Sequence, residues 1–519
     1  MKTFTEQIIE ARKVSTPFVV LRTFDPFATC KAVAESFGTE KDVIPFMGWD
    51  SIHGLRGLND EAGTPALAEM ANQAGIELAA TVDLPIALGL LEFAEKDVIA
   101  FVHYPHMCWD TDKKVIQGIA NLRSKYTARG NMLVLVLGAG DELPIELQQD
   151  CLVIEVPLPT REELGKAVES VFKYAAQEKA FVACKDAATP AVVKKATDAL
   201  IGLPLFPASQ ATSIHLNKLT GVLDIESLWT RKKEIVSQQQ GLSYHQGVEK
   251  RKDMYGCNAW VQFAERLMNG KKQPTIIVRM DEIQRQLAGS ESDSSGTKGN
   301  LMGEFLTWVN DRRVICSLNV GVSGTSKSWG PYCIGGEYGK PVINYSISAM
   351  EHKHVGESSR HMRNCHRTLD AIGDGRIWLV ASANSLEGLP PELLSRFQLG
   401  GIWFFDIPSD EEKAGILKLK LAQYGLNSNQ PAPSMVNWTG RDIDNCAAKA
   451  DLLDISMVEA SQYVVPLLES HRDTIEGIRS SAHNRFLSAS HEGLYQYVKA
   501  PAIVHEVKAT VTDGRKFRA

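Results

Sequence analysis

Residues 314–328 read VICSLNVGVSGTSKS: a strand-like run from Val314 to Val320, then Gly321-Val322-Ser323-Gly324-Thr325-Ser326-Lys327-Ser328. A buried strand, a glycine-rich turn and a Lys-Ser pair opening a helix form the pattern of a phosphate-binding loop. Backbone N–H groups and the helix N-terminus cradle phosphates, the lysine reaches the β- and γ-phosphates, and the hydroxyl binds Mg²⁺. The stretch meets GxxxxGK[ST] except at Ser326, which stands where the second glycine is required. That position often needs an unusual backbone angle, which costs a residue with a Cβ on the order of 1 kcal/mol. By itself the stretch is either a degenerate phosphate loop or a Gly/Ser surface loop.

A second string lies upstream, Ile276-Ile277-Val278-Arg279-Met280-Asp281-Glu282. Two adjacent carboxylates at the end of a buried strand suit nucleotide hydrolysis: Asp281 to hold Mg²⁺, Glu282 to polarise the attacking water. The competing reading is a strand that ends in a solvated acidic turn. Arg279 is unexpected within such a strand and faces a subunit contact, a bound anion or solvent by snorkelling. Further on, Trp378 to Ala383 reads as a buried strand that ends on Asn384, a polar side chain at the strand edge where α/β sheets bind ligands. Arg396 follows Leu389-Pro390-Pro391-Glu392-Leu393-Leu394-Ser395, and Arg441 opens a helix in Thr439-Gly440-Arg441-Asp442-Ile443. Either arginine alone reads as a surface charge; the joint arrangement carries the argument.

Outward from these strings the chain alternates short apolar runs with amphipathic stretches. In the first half, 18–21, 98–102, 132–137 and 152–156 read as buried strands, with helical signal over 113–129. Strands alternating with helices imply βαβ units around a mainly parallel sheet. From Thr160, a plausible N-cap, to about residue 240 the signal is helical. The second half repeats the plan, with strands at 275–280, 314–320, 342–347, 377–381 and 402–407, then helices from Asp410. Residues 142–164, ELPIELQQDCLVIEVPLPTREEL, and 388–412, GLPPELLSRFQLGGIWFFDIPSDEE, share Leu-Pro-x-Glu-Leu, a β run, then proline and an acidic helix start, which points to a duplication. The predicted organisation is an α/β domain over 1–159, a helical domain over 160–244, a second α/β domain over 245–408, a second helical domain over 409–475 and a tail over 476–519.

Composition agrees with a folded chain. Of 519 residues, 44% are hydrophobic and 23% charged, which excludes a mainly disordered chain. The net charge of −6 carries no basic excess that would advertise nucleic acid. Apolar runs fall well short of the ~20 residues that span a bilayer. Charges in MKTFTEQIIEARK stand where a signal peptide needs an apolar core, so a cytoplasmic location is expected. Nine cysteines without a CxxC pair fit a reducing compartment.

Taken together, residues ~245–470 resemble an AAA+ ATPase module of the FtsH-like clade, and are most similar to an uncharacterised AAA family of cyanobacterial and chloroplast genomes. The likeness rests on GVSGTSKS as Walker A, IIVRMDEI as Walker B and LAGSESDSSGTKGNLMGEFLTWV after it. It rests also on His354-Val355-Gly356-Glu357-Ser358-Ser359-Arg360, WLVASAN as sensor 1, LPPELLSRF and TGRDI. The resemblance implies Mg-ATP as ligand, Arg396 as an arginine finger toward a neighbouring subunit, Arg441 as sensor 2 and an adenine pocket near Tyr255-Gly256. It extends back over ~15–240 as a degenerate first module, so the implied fold is two tandem modules, each a parallel sheet with a helical lid. The first module has no glycine in Thr23-Phe24-Asp25-Pro26-Phe27-Ala28-Thr29-Cys30-Lys31 and no acidic pair in Phe101-Val102-His103-Tyr104-Pro105-His106. His103 and His106 lack an evident third metal ligand and read as a loop at a strand end.

The order departs from the family. Asp281-Glu282 precedes Lys327, so Walker B comes before Walker A, which reads as an internal permutation. A parallel sheet tolerates this when connections reach, because a site depends on strand positions in space. The pore-loop position has His354 in place of an aromatic, and one arginine, Arg396, stands where relatives often carry two. The resemblance implies a homo-oligomeric ring, a hexamer, that remodels or threads a protein partner. Two rivals stay open: an ATP-binding scaffold without hydrolysis, and a nucleic-acid motor, which the charge balance does not favour. The basic end Gly514-Arg515-Lys516-Phe517-Arg518 reads as a solvated terminus.

Overall fold

A computed structural model describes residues 3–38, 43–178, 183–245, 247–287, 297–350, 357–386, 389–466 and 472–497. The pore-loop position 354–356, the stretch 288–296 and the basic terminus therefore lie outside the described residues. The chain divides into two compact units. The first comprises 1–254, 263–319 and 326–401; the second comprises 255–262, 320–325 and 402–519.

In the first unit, β1 (Phe18–Thr23), β2 (Phe46–Asp50), β3 (Gly54–Gly57), β4 (Ile99–His103), β5 (Met132–Gly138) and β6 (Cys151–Glu155) form one sheet in the order β3-β2-β4-β5-β1-β6. Every neighbouring pair is parallel except β2 with β3. The apolar runs are continuous because both faces are covered. Phe18, Val20, Ala100, Val102, Leu133 and Leu135 enter one core; Val19, Leu21, Ile99, Phe101, Val134 and Val136 enter the other. That alternation is the period of two of a pleated strand.

Among the described residues four α-helices follow, Arg161–Ala175, Pro190–Leu200, Leu205–His215 and Ile225–Ser237, with a small hairpin of β7 (Leu216–Asn217) and β8 (Val222–Leu223). Thr160 caps the first, its hydroxyl accepting from the Glu163 N–H while the Glu163 carboxylate accepts from the Thr160 N–H. Leu164, Val168, Phe172, Leu200 and Leu228 form the core of this helical part.

The first unit holds a second sheet from β9 (Leu242–His245), β10 (Ile276–Met280), β11 (Ile315–Gly321), β12 (Val342–Tyr345) and β13 (Ile377–Ala383), in the order β11-β13-β10-β12-β9. β10 runs parallel to β12 and β13, and β9 is an antiparallel edge on β12. Helix Glu357–Gly373 carries Arg360, Arg363 and Arg367 on one face at helical spacing. Arg360 pairs with Asp141 at 3.2 Å and Arg363 with Glu142 at 2.9 Å, while Arg367 reaches the Ala139 carbonyl and Glu155. The three guanidiniums thus fix this helix to the loop that follows β5.

The second unit contains β14 (Ile402–Phe405) and β15 (Leu487–Ser488), which are parallel, and the end of β11 at Val320-Gly321. Helices Asp410–Gln423, Gly440–Leu453 and Met457–Ser461 each start at a reciprocal cap: Ser409 with Glu412, Thr439 with Asp442, Ser456 with Glu459. Leu417, Leu421, Trp438, Ile443, Ala447 and Met457 pack between them. The tail docks within this unit. Arg479 pairs with Asp406 at 2.8 Å, the Tyr495 hydroxyl donates to Asp406 at 2.6 Å, and the Tyr495 ring lies 4.4 Å from Phe404. Among the described residues no helix is long and apolar enough to cross a membrane.

Candidate functional site

β10 and β13 are neighbours with Met280 opposite Ala381, so the residues that follow each strand emerge at one edge. There the first unit brings together Asp281, Glu282, Ser382 and Asn384 with Lys327 and Ser328. The Ser328 hydroxyl donates to Asp281 Oδ1 at 2.6 Å, and the Ser382 hydroxyl donates to the same oxygen. The Glu282 N–H donates to Ser382 Oγ at 3.2 Å. Lys327 is only 6% exposed, and its Nζ donates to Asn384 Oδ1 at 2.7 Å; Asn384 Nδ2 in turn donates to Glu282 Oε1 at 3.1 Å. A chain from cation through amide to carboxylate therefore links three residues that are far apart in sequence. Glu282 has φ +48°, a left-handed angle on a non-glycine residue, at the turn from β10 into helix Ile283–Leu287. Strain of this kind collects at functional sites.

Burial opposes ionisation of Asp281. The hydroxyls of Ser328 and Ser382, followed by the Arg279 guanidinium, outweigh it and hold the carboxyl below its ordinary pKa. Asp281 Oδ1, Ser328 Oγ and Ser382 Oγ are hard oxygen donors gathered around a negative charge, which fits Mg²⁺.

The turn around Lys327 differs from the expected one. The helix begins at Gly330, two residues after Ser328, with Pro331 in its first turn. Proline has no N–H for the Lys327 carbonyl. Asn319 Nδ2 takes that place at 3.0 Å. The Tyr332 N–H bonds Trp329 O, and the Ser328 carbonyl accepts from Arg279 Nε at 3.0 Å. Side chains from two strands thus supply what a regular helix start would. Ser326 has φ +65°, the left-handed angle expected where the pattern wants glycine. The cost of about 1 kcal/mol stands against these added bonds.

In the second unit, Gly321 has φ +149°, and a Cβ there would collide with the Phe405 carbonyl. Gly324 has φ +84°; a Cβ would lie 2.7 Å from Arg441 Cβ and 2.8 Å from Thr439 Oγ1. The Arg441 N–H donates to Gly324 O at 3.2 Å, so the helix bearing Arg441 starts on the glycine-rich loop. Thr325 Oγ1 closes that loop by donating to Val322 O at 2.7 Å, and Val322 packs with Ile475 and Ile407. Ser323 stands between them at the turn.

Tyr255 is half exposed and lies against Gly415, where any side chain would strike its ring. Gly256 has φ +81°, and Glu412 Oε1 accepts from the Cys257 N–H at 3.1 Å and the Ser490 hydroxyl at 3.0 Å. The predicted residues thus fall into two sets. Asp281, Glu282, Ser326, Lys327, Ser328 and Asn384 belong to the first unit; Tyr255, Gly256, 321–325 and Arg441 belong to the second. Arg396 ends helix Pro391–Arg396 in the first unit. Among the described residues no hydrogen bond or ion pair joins it to the Asp281 cluster, and its Nε is buried without a partner.

Sequence reading missed Ser382, Asn319, Tyr332, Asn344 and Glu412. Ser382 had a signal, since it lies two residues before Asn384 and shares its face on an extended strand. At the end of β4, His103 stacks on Phe27 at 5.7 Å, and just beyond it His106 lies 3.4 Å from Asp141. Among the described residues no group of three His, Cys, Asp or Glu side chains is arranged to hold a metal ion.

No family model matches the chain. The uncharacterized AAA domain-containing protein ycf46 of Guillardia theta is 19% identical over 394 residues, covering 68% of this chain and 68% of that protein. The protein of the same name from Trieres chinensis is 20% identical over 336 residues, covering 57% of this chain and 60% of its own length, less than two thirds. Both are distant likenesses to proteins described as AAA domain-containing, in agreement with an AAA+ type of chain.

Proposed function

We propose that the chain is a Mg-ATP-dependent AAA+ ATPase of the FtsH-like clade, working as a homo-oligomeric ring, a hexamer, that remodels or threads a protein partner. The observation that carries this reading is the linked cluster Lys327–Asn384–Glu282 beside Ser328–Asp281–Ser382. Lys327 would hold the β- and γ-phosphates, with the loop Gly321 to Ser326 wrapping them. Ser328 and Asp281 would hold Mg²⁺, which supplies charge neutralisation on the phosphates when bound. Glu282 accepts a proton from the attacking water, and Asn384 keeps its carboxylate oriented. Tyr255 and Gly256 would border the adenine, Arg441 would report nucleotide to the helical lid, and Arg396 would act on a neighbour's γ-phosphate.

The reading includes a permutation, and the two sheets support it. In the first, parallel positions β1, β5, β4 and β2 are filled in the spatial order β1-β5-β4-β2, with the antiparallel edge β3 beyond. In the second, β11-β13-β10-β12 runs to the antiparallel edge β9. Matching positions gives β1 with β11, β5 with β13, β4 with β10, β2 with β12 and β3 with β9. The edge strand and the carboxylate strand have moved ahead of the phosphate-loop strand in chain order, while the spatial order is kept. On this reading 1–241 is a first module without nucleotide chemistry, 242–475 is the working module, its edge strand starting three residues before the boundary read at 245, and 476–519 is its tail.

The test is ATP turnover measured together with native mass, with and without Mg-ATP. The expected outcome is turnover in a nucleotide-dependent oligomer. Tight ATP binding without turnover would replace this reading with a non-hydrolysing scaffold, to which the non-glycine Ser326 and the single Arg396 lend weight.

A further inference from the structure

Arg279 stands in β10 among Ile277, Val278 and Met280, all fully buried. A guanidinium carried by such a strand needs partners for its donors. Nε donates to Ser328 O at 3.0 Å, and one terminal nitrogen donates to Asp281 Oδ2 at 2.6 Å. The other donates to the Tyr332 hydroxyl at 2.9 Å and to Asn344 Oδ1 at 3.2 Å. The register puts Asn344 opposite Arg279 on β12, and the guanidinium carbon lies 4.9 Å from the Tyr332 ring centroid. This side chain therefore ties the carboxylate strand, its neighbour and the Lys327–Ser328 turn to one fixed positive charge.

We infer that Arg279 is a positioning residue that supplies, within the phosphate site, part of the positive charge a metal ion otherwise brings, so that nucleotide is held with a weak requirement for Mg²⁺. The inference rests on the nucleotide-site reading above. Asp281 already has its charge matched: Oδ1 accepts from two hydroxyls and Oδ2 from the guanidinium. Arg279 is anchored to the carbonyl of Ser328, the residue next to Lys327, so an incoming polyphosphate meets the Lys327 ammonium beside a carboxylate that the guanidinium has already neutralised. A carboxylate neutralised in place repels polyphosphate less in a partly buried site, so less affinity is lost when Mg²⁺ is absent. A guanidinium does this with fork geometry that an ammonium lacks.

The experiment titrates the full-length chain with a fluorescent N-methylanthraniloyl ATP in Mg²⁺ and in EDTA, for wild type, Arg279→Met and Arg279→Lys. Wild type should bind in EDTA within about tenfold of its Mg²⁺ affinity, the scale on which one fixed charge offsets another. Arg279→Met should widen that ratio by at least about tenfold, and Arg279→Lys should fall between the two. A purely structural arginine would weaken both conditions equally and leave the ratio unchanged, which overturns the inference. A wild-type ratio above about a hundredfold overturns it too, whether or not either variant folds. Absence of binding in both conditions would instead remove the nucleotide-site reading itself.

Discussion

Glu282→Gln is expected to lower ATP turnover by about 10²–10⁴-fold while ATP binding is spared, because a positioned general base contributes on that scale. The substitution keeps the side chain's shape and an oxygen for the Asn384 amide, which donates to Glu282 Oε1 at 3.1 Å. It removes the ion pair to Arg285, whose side chain is 75% exposed, so little stability is lost with it. The left-handed angle at Glu282 and its N–H bond to Ser382 are backbone features that glutamine retains. Phosphate release and equilibrium ATP binding, measured on the same preparation, separate the two effects. Unchanged turnover would remove Glu282 from the mechanism and leave Asp281 as the only acidic contributor of the pair.

Arg396→Ala is the second large effect, a drop of about 10³-fold or more in turnover with nucleotide affinity little altered. Arg396 is not part of the Asp281 cluster, and its buried Nε has no partner among the described residues. Among the described residues no hydrogen bond or ion pair holds its terminal nitrogens, which leaves them for an acceptor supplied from outside. On the ring reading, that acceptor is the γ-phosphate bound by the next subunit. A mixture tests the geometry directly. Arg396→Ala supplies an intact phosphate site and Lys327→Ala supplies an intact finger, so mixed oligomers should regain part of the lost turnover. A mixture as inactive as its components would contradict action in trans.

The fold was legible where burial on both faces makes a strand read as an unbroken apolar run. β5 is of this kind, β1 and β4 are so up to their ends, and β10, β11 and β13 keep the signal around Arg279, Ser317, Asn319 and Ser382. β2, β3 and β9 were not read: Phe46–Asp50 contains Gly48 and ends on a charge, and the edge strands are half exposed and defined by pairing. Helix Gly330–Glu337 holds three glycines and a proline, and forms because its side chains are buried, not from propensity. Thr160 announced its helix in the sequence, and the structure shows the same reciprocal cap at Ser409 and Thr439, where the sequence reading gave only helix starts.

Much of the candidate site was legible for a related reason. Asp281 and Asn384 end apolar runs, and strand ends are where side chains leave the sheet. What the sequence could not supply was adjacency. Ser382 and Asn344 matter only because β13 and β12 flank β10, a fact of sheet order. Arg279 looked anomalous until Pro331 was seen to leave the Lys327 and Ser328 carbonyls short of helix donors. The role of His354 is a reading that falls outside the described residues.

The claim at the centre of this account is that Lys327 and the Asp281 cluster form one nucleotide site although their order in the chain is reversed. Calorimetric titration of Mg-ATP into the full-length chain and into Lys327→Ala tests it most directly. The account predicts saturable binding at one site per wild-type chain, weakened by at least about a hundredfold in the variant. Equal affinity in both proteins would contradict it, because the ammonium bonded to Asn384 would then take no part in holding phosphate.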